Sequence, residues 1–181
     1  MGIEFPALVL NADCRPLSYT PLSLWGWEDA VKAVLLDRVS VMAEYDEVVR
    51  SPSFEMRLPS VILLRQYVDM NRRAAFSRFN LSLRDGFACA YCGDKNDLTF
   101  DHVHPRSRGG PLTFENIVLA CMPCNGKKGN RTPEEAGMTL RVKPYAPTQA
   151  QLVDIGKRYP PPNVHKSWID HAYWDVPLDP D

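Results

Sequence analysis

Two Cys-x-x-Cys pairs, Cys89/Cys92 and Cys121/Cys124, lie with 28 residues between them and constrain the chain more than any other feature. Each pair can form a knuckle that points two sulfurs at one ion, and two knuckles complete the tetrahedron of a closed, structural zinc site. Gly93 and Gly126, close behind the two pairs, are placed to supply the tight turns such knuckles need. Between the pairs stands Asp101-His102, and the second pair runs directly into Asn125. A carboxylate, a neutral imidazole and an amide oxygen are harder donors than thiolates and suit a catalytic divalent ion with positions left open.

Cysteine usage agrees with metal ligation. Four of the five cysteines are in the paired spacing, which differs from a disulfide framework. Cys14 stands apart and reads as a small buried hydrophobe or a free thiol. The chain has 181 residues, 45% hydrophobic and 24% charged, as in an ordinary globular protein. It contains no apolar run of about 18 residues, so no membrane partner is expected. Met1 to Pro6 lack the basic start and apolar core of a signal peptide, and the expected location is cytoplasmic. The net charge of -1 conceals an asymmetry, because Arg57 to Lys143 carry 14 Lys and Arg against 8 Asp and Glu. Positive charge gathered around candidate metal ligands fits an anionic polymer.

Three parts are expected along the chain: a mixed α/β segment over 1–75, a metal-binding domain over 76–140, and a Pro-rich, partly helical tail over 141–181. In the first part, Ala7 to Asn11 reads as a short strand, Trp25 to Leu36 as a helix, and Val39 to Tyr45 and Val61 to Leu64 as strands. Pro52 and Pro59 punctuate the chain between the last two. Arg65, Arg72, Arg73, Arg78 and Arg84 form an Arg-rich approach to the first cysteine pair and read either as a phosphate-tracking arm or as an exposed face. Thr132-Pro133-Glu134-Glu135 predicts a short helix ending near Gly137. A further helix is expected from Thr148 to Tyr159. Trp168, Tyr173 and Trp174 give the tail apolar surface to pack back on the body, among prolines that include Pro160, Pro161 and Pro162.

Residues 98–104 alternate as a strand, with Leu98, Phe100, His102 and His104 on one face and Thr99, Asp101 and Val103 on the other. Pro105 stops it, and Arg106-Ser107-Arg108-Gly109-Gly110 reads as a flexible basic loop. Phe114 to Ala120 returns as a second strand, and a helix follows from about Met122. Strand, loop, strand, helix is the expected order.

Cys89-x-x-Cys92, Asp101-His102-x-x-Pro105, Gly109-Gly110, Asn116 and Cys121-x-x-Cys124-Asn125 together resemble the HNH endonucleases, over about a quarter of the chain. Asn11-Ala12 and Arg50 to Ser53 resemble the N-terminal part of bacterial HNH proteins less diagnostically. The family's name letters fall on His102, Asn116 and Asn125. Asn at the third position is similar to the zinc-stapled branch that includes phage junction resolvases and the HNH domain of RNA-guided effectors. The resemblance implies an α+β protein: a ββα-metal core stapled by a four-cysteine zinc site, with a mixed α/β N-terminal segment and a Pro-rich C-terminal tail.

It also implies that Asp101 and Asn125 hold one Mg²⁺ or Mn²⁺ and that His102 is the general base for an attacking water. Asn116 would fix the loop between the strands. Products would carry a 5′ phosphate and a 3′ hydroxyl. The expected partner is DNA, double-stranded, contacted by Arg106, Arg108, Lys127, Lys128 and Arg131. His104 either supports the reaction or simply ends a strand. Two other functions stay open: a non-catalytic zinc module that binds nucleic acid, and an RNA-directed or repair nuclease that relies on a partner for specificity. For Asn125, helix capping is the rival to metal ligation.

Overall fold

A computed structural model describes residues 4–159 and 164–172. These fall into two compact units, one holding the described residues up to Met70 together with those from Gly156 onward, the other running from Asn71 to Ile155. Pro160, Pro161, Pro162, Tyr173 and Trp174 lie outside the described residues. Among the described residues no helix is long and apolar enough to cross a membrane.

The first unit is built on a four-stranded sheet of order β2-β1-β4-β3, with β1 at Ala7–Leu10, β2 at Leu24–Trp25, β3 at Val39–Ser51 and β4 at Phe54–Leu64. Strand β1 is parallel to β4 and antiparallel to β2. Its unbroken apolar run has a direct cause, since both faces are covered. Ala7 and Val9 pack with Ala30 and Ala33 of helix α1 (Trp27–Leu35), while Leu8 and Leu10 pack with Trp168 and Ala172 of the C-terminal turn and short helix. Helical spacing puts Trp27, Ala30, Val31, Val34 and Leu35 on one face, but the buried face is shifted from it: Ala30 and Ala33 are buried, Val34 is half-buried against the core, and Leu35 is exposed. Trp25 belongs to β2, and Gly26 stands at the helix cap.

Strands β3 and β4 are longer than the sequence pattern predicts. They continue past Tyr45 into a hairpin that turns at Pro52-Ser53, and Pro59 lies inside β4 opposite Glu44. The pairing register shifts on both sides of that position, which is where a strand tolerates a residue with no N–H to donate. At the end of β1, Asn11 is buried and imitates a strand neighbour. Its Oδ1 accepts from the Val68 N–H at 2.8 Å and its Nδ2 donates to the Val68 carbonyl at 2.9 Å.

The second unit holds the two-stranded sheet of β5 (Leu98–His102) and β6 (Ile117–Cys121), helix α2 (Arg78–Arg84) and helix α3 (Met122–Lys128). Ser77 caps α2, accepting from the Asn80 N–H. Register pairs Asp101 with Val118 and His102 with Ile117. Leu98 and Phe100 of β5 and Ile117 and Leu119 of β6 pack on Leu81 of α2. The second strand is shorter than expected because Phe114 lies in this core before β6 begins. Thr132 and Glu135 do exchange the bonds of a capping box, yet only a turn follows, since Gly137 (φ +62°) ends the segment before a helix can propagate. The same box, Thr148 with Gln151, opens the real helix α4 (Gln149–Gly156).

Arg84 is no part of a phosphate arm. It is buried, forms an ion pair with Asp85 at 2.7 Å, and donates to the carbonyls of Phe114, Tyr145 and Ile117. Asp85 in turn accepts from the Leu119 N–H at 2.7 Å, so one charged pair fastens α2 to β6. Arg84→Met should remove the donor that these carbonyls share and leave the Asp85 charge without its cation, destabilising the second unit by about 3–5 kcal/mol. Hydrogen exchange of the β6 amides across a urea series measures this, with unchanged protection as the contrary result.

Candidate metal centre and reaction site

The first knuckle, Cys89 to Cys92, is closed by a bond from the Gly93 N–H to the Cys89 carbonyl at 2.8 Å, with Gly93 in the left-handed region at φ +86°. It is docked on β6 by the Ala90 N–H, which donates to the Leu119 carbonyl at 2.7 Å. The second knuckle starts where β6 ends and becomes the first turn of α3, where Pro123 needs no N–H partner. Gly126 is an ordinary helical residue, so the turn role expected of it falls to the strand-to-helix junction.

The four sulfurs all lie within 4.8 Å of one another, and those of Cys92 and Cys121 are 3.6 Å apart. A tetrahedron of sulfurs at the Zn–S distance of about 2.3 Å has edges of about 3.8 Å, so the cluster suits zinc. Burial pushes the Cys89 thiol up, but hydrogen bonds from the backbone of Cys92, Cys121 and Tyr91 outweigh this and bring it down to about 6. Burial and the three neighbouring sulfurs raise the Cys124 thiol instead. A divalent cation is what lets four thiolates share such a space.

Asp101 is 5% exposed, and both of its carboxylate oxygens are engaged. The Tyr91 hydroxyl donates to Oδ2 at 2.7 Å, and the Lys128 ammonium donates to Oδ1 at 2.9 Å. Burial, the hydrogen bond to Asp101 and that carboxylate's charge all push the Tyr91 hydroxyl far above the usual tyrosine range, so it stays a donor. His102, the last residue of β5, is half-buried, and its ring makes no hydrogen bond among the described residues. The Asn125 side chain is likewise without a hydrogen-bond partner among the described residues. It lines a surface groove with Asp97, Thr99 and Met122, one helical turn before Lys128. Among the described residues, no hydrogen bond joins Asp101 and Asn125.

Asn116 is buried and reaches across the loop between the strands. Its Oδ1 accepts from the His104 N–H at 2.8 Å, and its Nδ2 donates to the carbonyls of His104 and Pro111. Beyond His102 the strand ends, so His104 does not share its face; the His104 ring instead bonds the Arg108 carbonyl at 3.0 Å. The loop is not a free one. A Cβ on Gly110 would collide with the His104 carbonyl oxygen, so only glycine fits there.

The basic residues separate into two groups. Lys128 is 1% exposed and holds Asp101, which corrects its reading as a phosphate contact. Arg108 is paired with Glu135 at 2.8 Å, and Arg131 donates to the carbonyls of Lys127 and Lys128 at the end of α3. Arg106 and Lys127 are exposed, with no side-chain partner among the described residues. Tyr91 is the residue that sequence reasoning missed, and Lys128 the one to which it gave the wrong role. The available signal was helical spacing, since Lys128 lies three residues after Asn125 on α3 and so stands on nearly the same side of the helix.

Replacing Lys128 with Met strands a buried carboxylate and should cost about 3–5 kcal/mol. The same change at exposed Lys127 should stay within about 0.5 kcal/mol. Urea melts of the two variants, followed by exchange of the β5 amides, distinguish these; equal stabilities would contradict the buried pair.

Comparison with known proteins accords with this geometry. Residues 89–131 match the HNH endonuclease family, and residues 7–72 match the HNH endonuclease-associated N-terminal domain. A CRISPR-associated endonuclease Cas9 from Corynebacterium diphtheriae is 41% identical over 64 residues. That alignment covers 32% of this chain and 6% of the Cas9, so the chain spans a small fraction of that relative's length. No solved structure matches significantly. With a strand, loop, strand and helix around four clustered cysteines, the segment from Cys89 to Arg131 is a domain of the HNH endonuclease family, preceded in the same chain by an HNH-associated N-terminal domain.

Proposed function

We propose that this chain is a metal-dependent endonuclease that hydrolyses phosphodiester bonds of double-stranded DNA, with His102 as general base. The observation that carries this reading is Asp101-His102 at the end of β5, in a segment that matches the HNH endonucleases and also contains Asn125. The four-cysteine cluster would hold a structural zinc, because all four of its ligand positions are filled by sulfur.

Asp101 and Asn125 would hold one Mg²⁺ or Mn²⁺. The donor chemistry fits, since carboxylate oxygens keep lone pairs beyond those they share with Tyr91 and Lys128, and the Asn125 amide oxygen has no competing partner among the described residues. When bound, such an ion supplies positive charge for the phosphate and the departing 3′ oxygen. His102 would take the proton of the attacking water on a ring nitrogen that no described protein group occupies. Asn116 acts by position, holding the backbone that follows His102. Arg106 and Lys127 would meet phosphates. Free cysteines rather than disulfides support work in a reducing compartment, the cytoplasm.

Supercoiled plasmid should be nicked or linearised when Mg²⁺ or Mn²⁺ is added, and His102→Ala should abolish cleavage while DNA binding remains. Binding with no cleavage by the unaltered protein would favour the rival reading, a zinc module that only binds nucleic acid. Substituting Arg106 or Lys127 with Ala should reduce the slope of log K against log salt by about 1 for each lost phosphate contact. An unchanged slope would remove that residue from the interface.

A further inference from the structure

We infer that Tyr91 is a positioning residue for Asp101, and that through it the first zinc knuckle sets the carboxylate at the reaction site. This rests on the reading above, in which Asp101 holds the exchangeable divalent ion.

A carboxylate with one hydrogen-bonded oxygen can still turn about its Cβ–Cγ bond. One with a separate donor on each oxygen cannot turn without breaking a bond. Asp101 is of the second kind, with Tyr91 on Oδ2 at 2.7 Å and Lys128 on Oδ1 at 2.9 Å. The two donors come from the two halves of the cysteine cluster. Tyr91 stands between Cys89 and Cys92, and its side chain packs on the cluster of Cys89, Ala120 and Cys121. Lys128 ends the helix that starts on Cys121 and Cys124. The grip on Asp101 is thus made by the first knuckle and by the helix that the second knuckle opens. Of the two donors, Tyr91 is the one whose loss changes no charge, so its effect reports orientation alone.

Partners of a metal ligand typically change metal affinity about 10–100-fold when removed. Tyr91→Phe keeps the ring and its packing and deletes only the donor. The variant should retain its zinc, measured by metal analysis. Its Mn²⁺ dissociation constant, read from the paramagnetic resonance signal of free Mn²⁺, should rise by about tenfold or more. Plasmid cleavage should need correspondingly more Mn²⁺ and recover most of its rate at saturation, which a general loss of structure would not allow. Asp101→Asn, measured alongside, separates the two levels of the argument. If Asp101→Asn weakens Mn²⁺ binding while Tyr91→Phe binds it like the unaltered protein, the positioning role is overturned and the proposed function stands. If Asp101→Asn leaves Mn²⁺ binding unchanged, the reading of Asp101 fails and the positioning role fails with it.

Discussion

The second unit depends on four sulfurs meeting within 4.8 Å. Nothing in the short helices and two-stranded sheet around them would hold that geometry alone, for such elements are marginal without further support. The cysteines sit where elements begin and end. Cys121 closes β6 and opens α3, and the loop of Cys89 and Cys92 is docked on β6 through Ala90. Gathering them therefore sets β6, α3 and the approach to β5 in one step. Everything proposed for the reaction site, from Asp101 to Asn125, hangs on elements placed in this way.

Two buried ion pairs complete the frame, and they show what a one-dimensional reading can and cannot recover. Ligand spacing, the Asp-His dipeptide and the strand-loop-strand-helix order were legible because each is a local pattern with a local cause. Arg84 and Lys128 were read as possible surface cations because charge alone gives no sign of burial. Arg84 is satisfied by carbonyls as distant in sequence as Tyr145, and Lys128 by a carboxylate 27 residues away. Such partners exist only after folding. Asn116, expected to fix the loop between the strands, bonds His104 and Pro111 across it; only the flexibility of that loop was misjudged.

The N-terminal unit was legible in part. The unbroken apolar run of β1 marked a strand, and the structure adds that both faces are covered, one by α1 and the other by Trp168 and Ala172. The apolar surface of Trp168 already pointed to a tail that packs back on the body; which strand it covers, more than a hundred positions earlier, no local pattern could announce. The hairpin of β3 and β4 ran past the expected ends because Pro59 sits at a register shift, where a missing donor does no harm. Thr132 shows the opposite error: a sound capping box began a segment too short to become a helix.

The cysteine cluster is a scaffold that does no chemistry itself, and X-ray absorption at the zinc edge puts this to the test. The spectrum should show one zinc per chain, bound by four sulfurs at about 2.3 Å with no oxygen or nitrogen ligand, unchanged when Mg²⁺ is added. Protein free of zinc, or a zinc with an open oxygen-bound position, would contradict it.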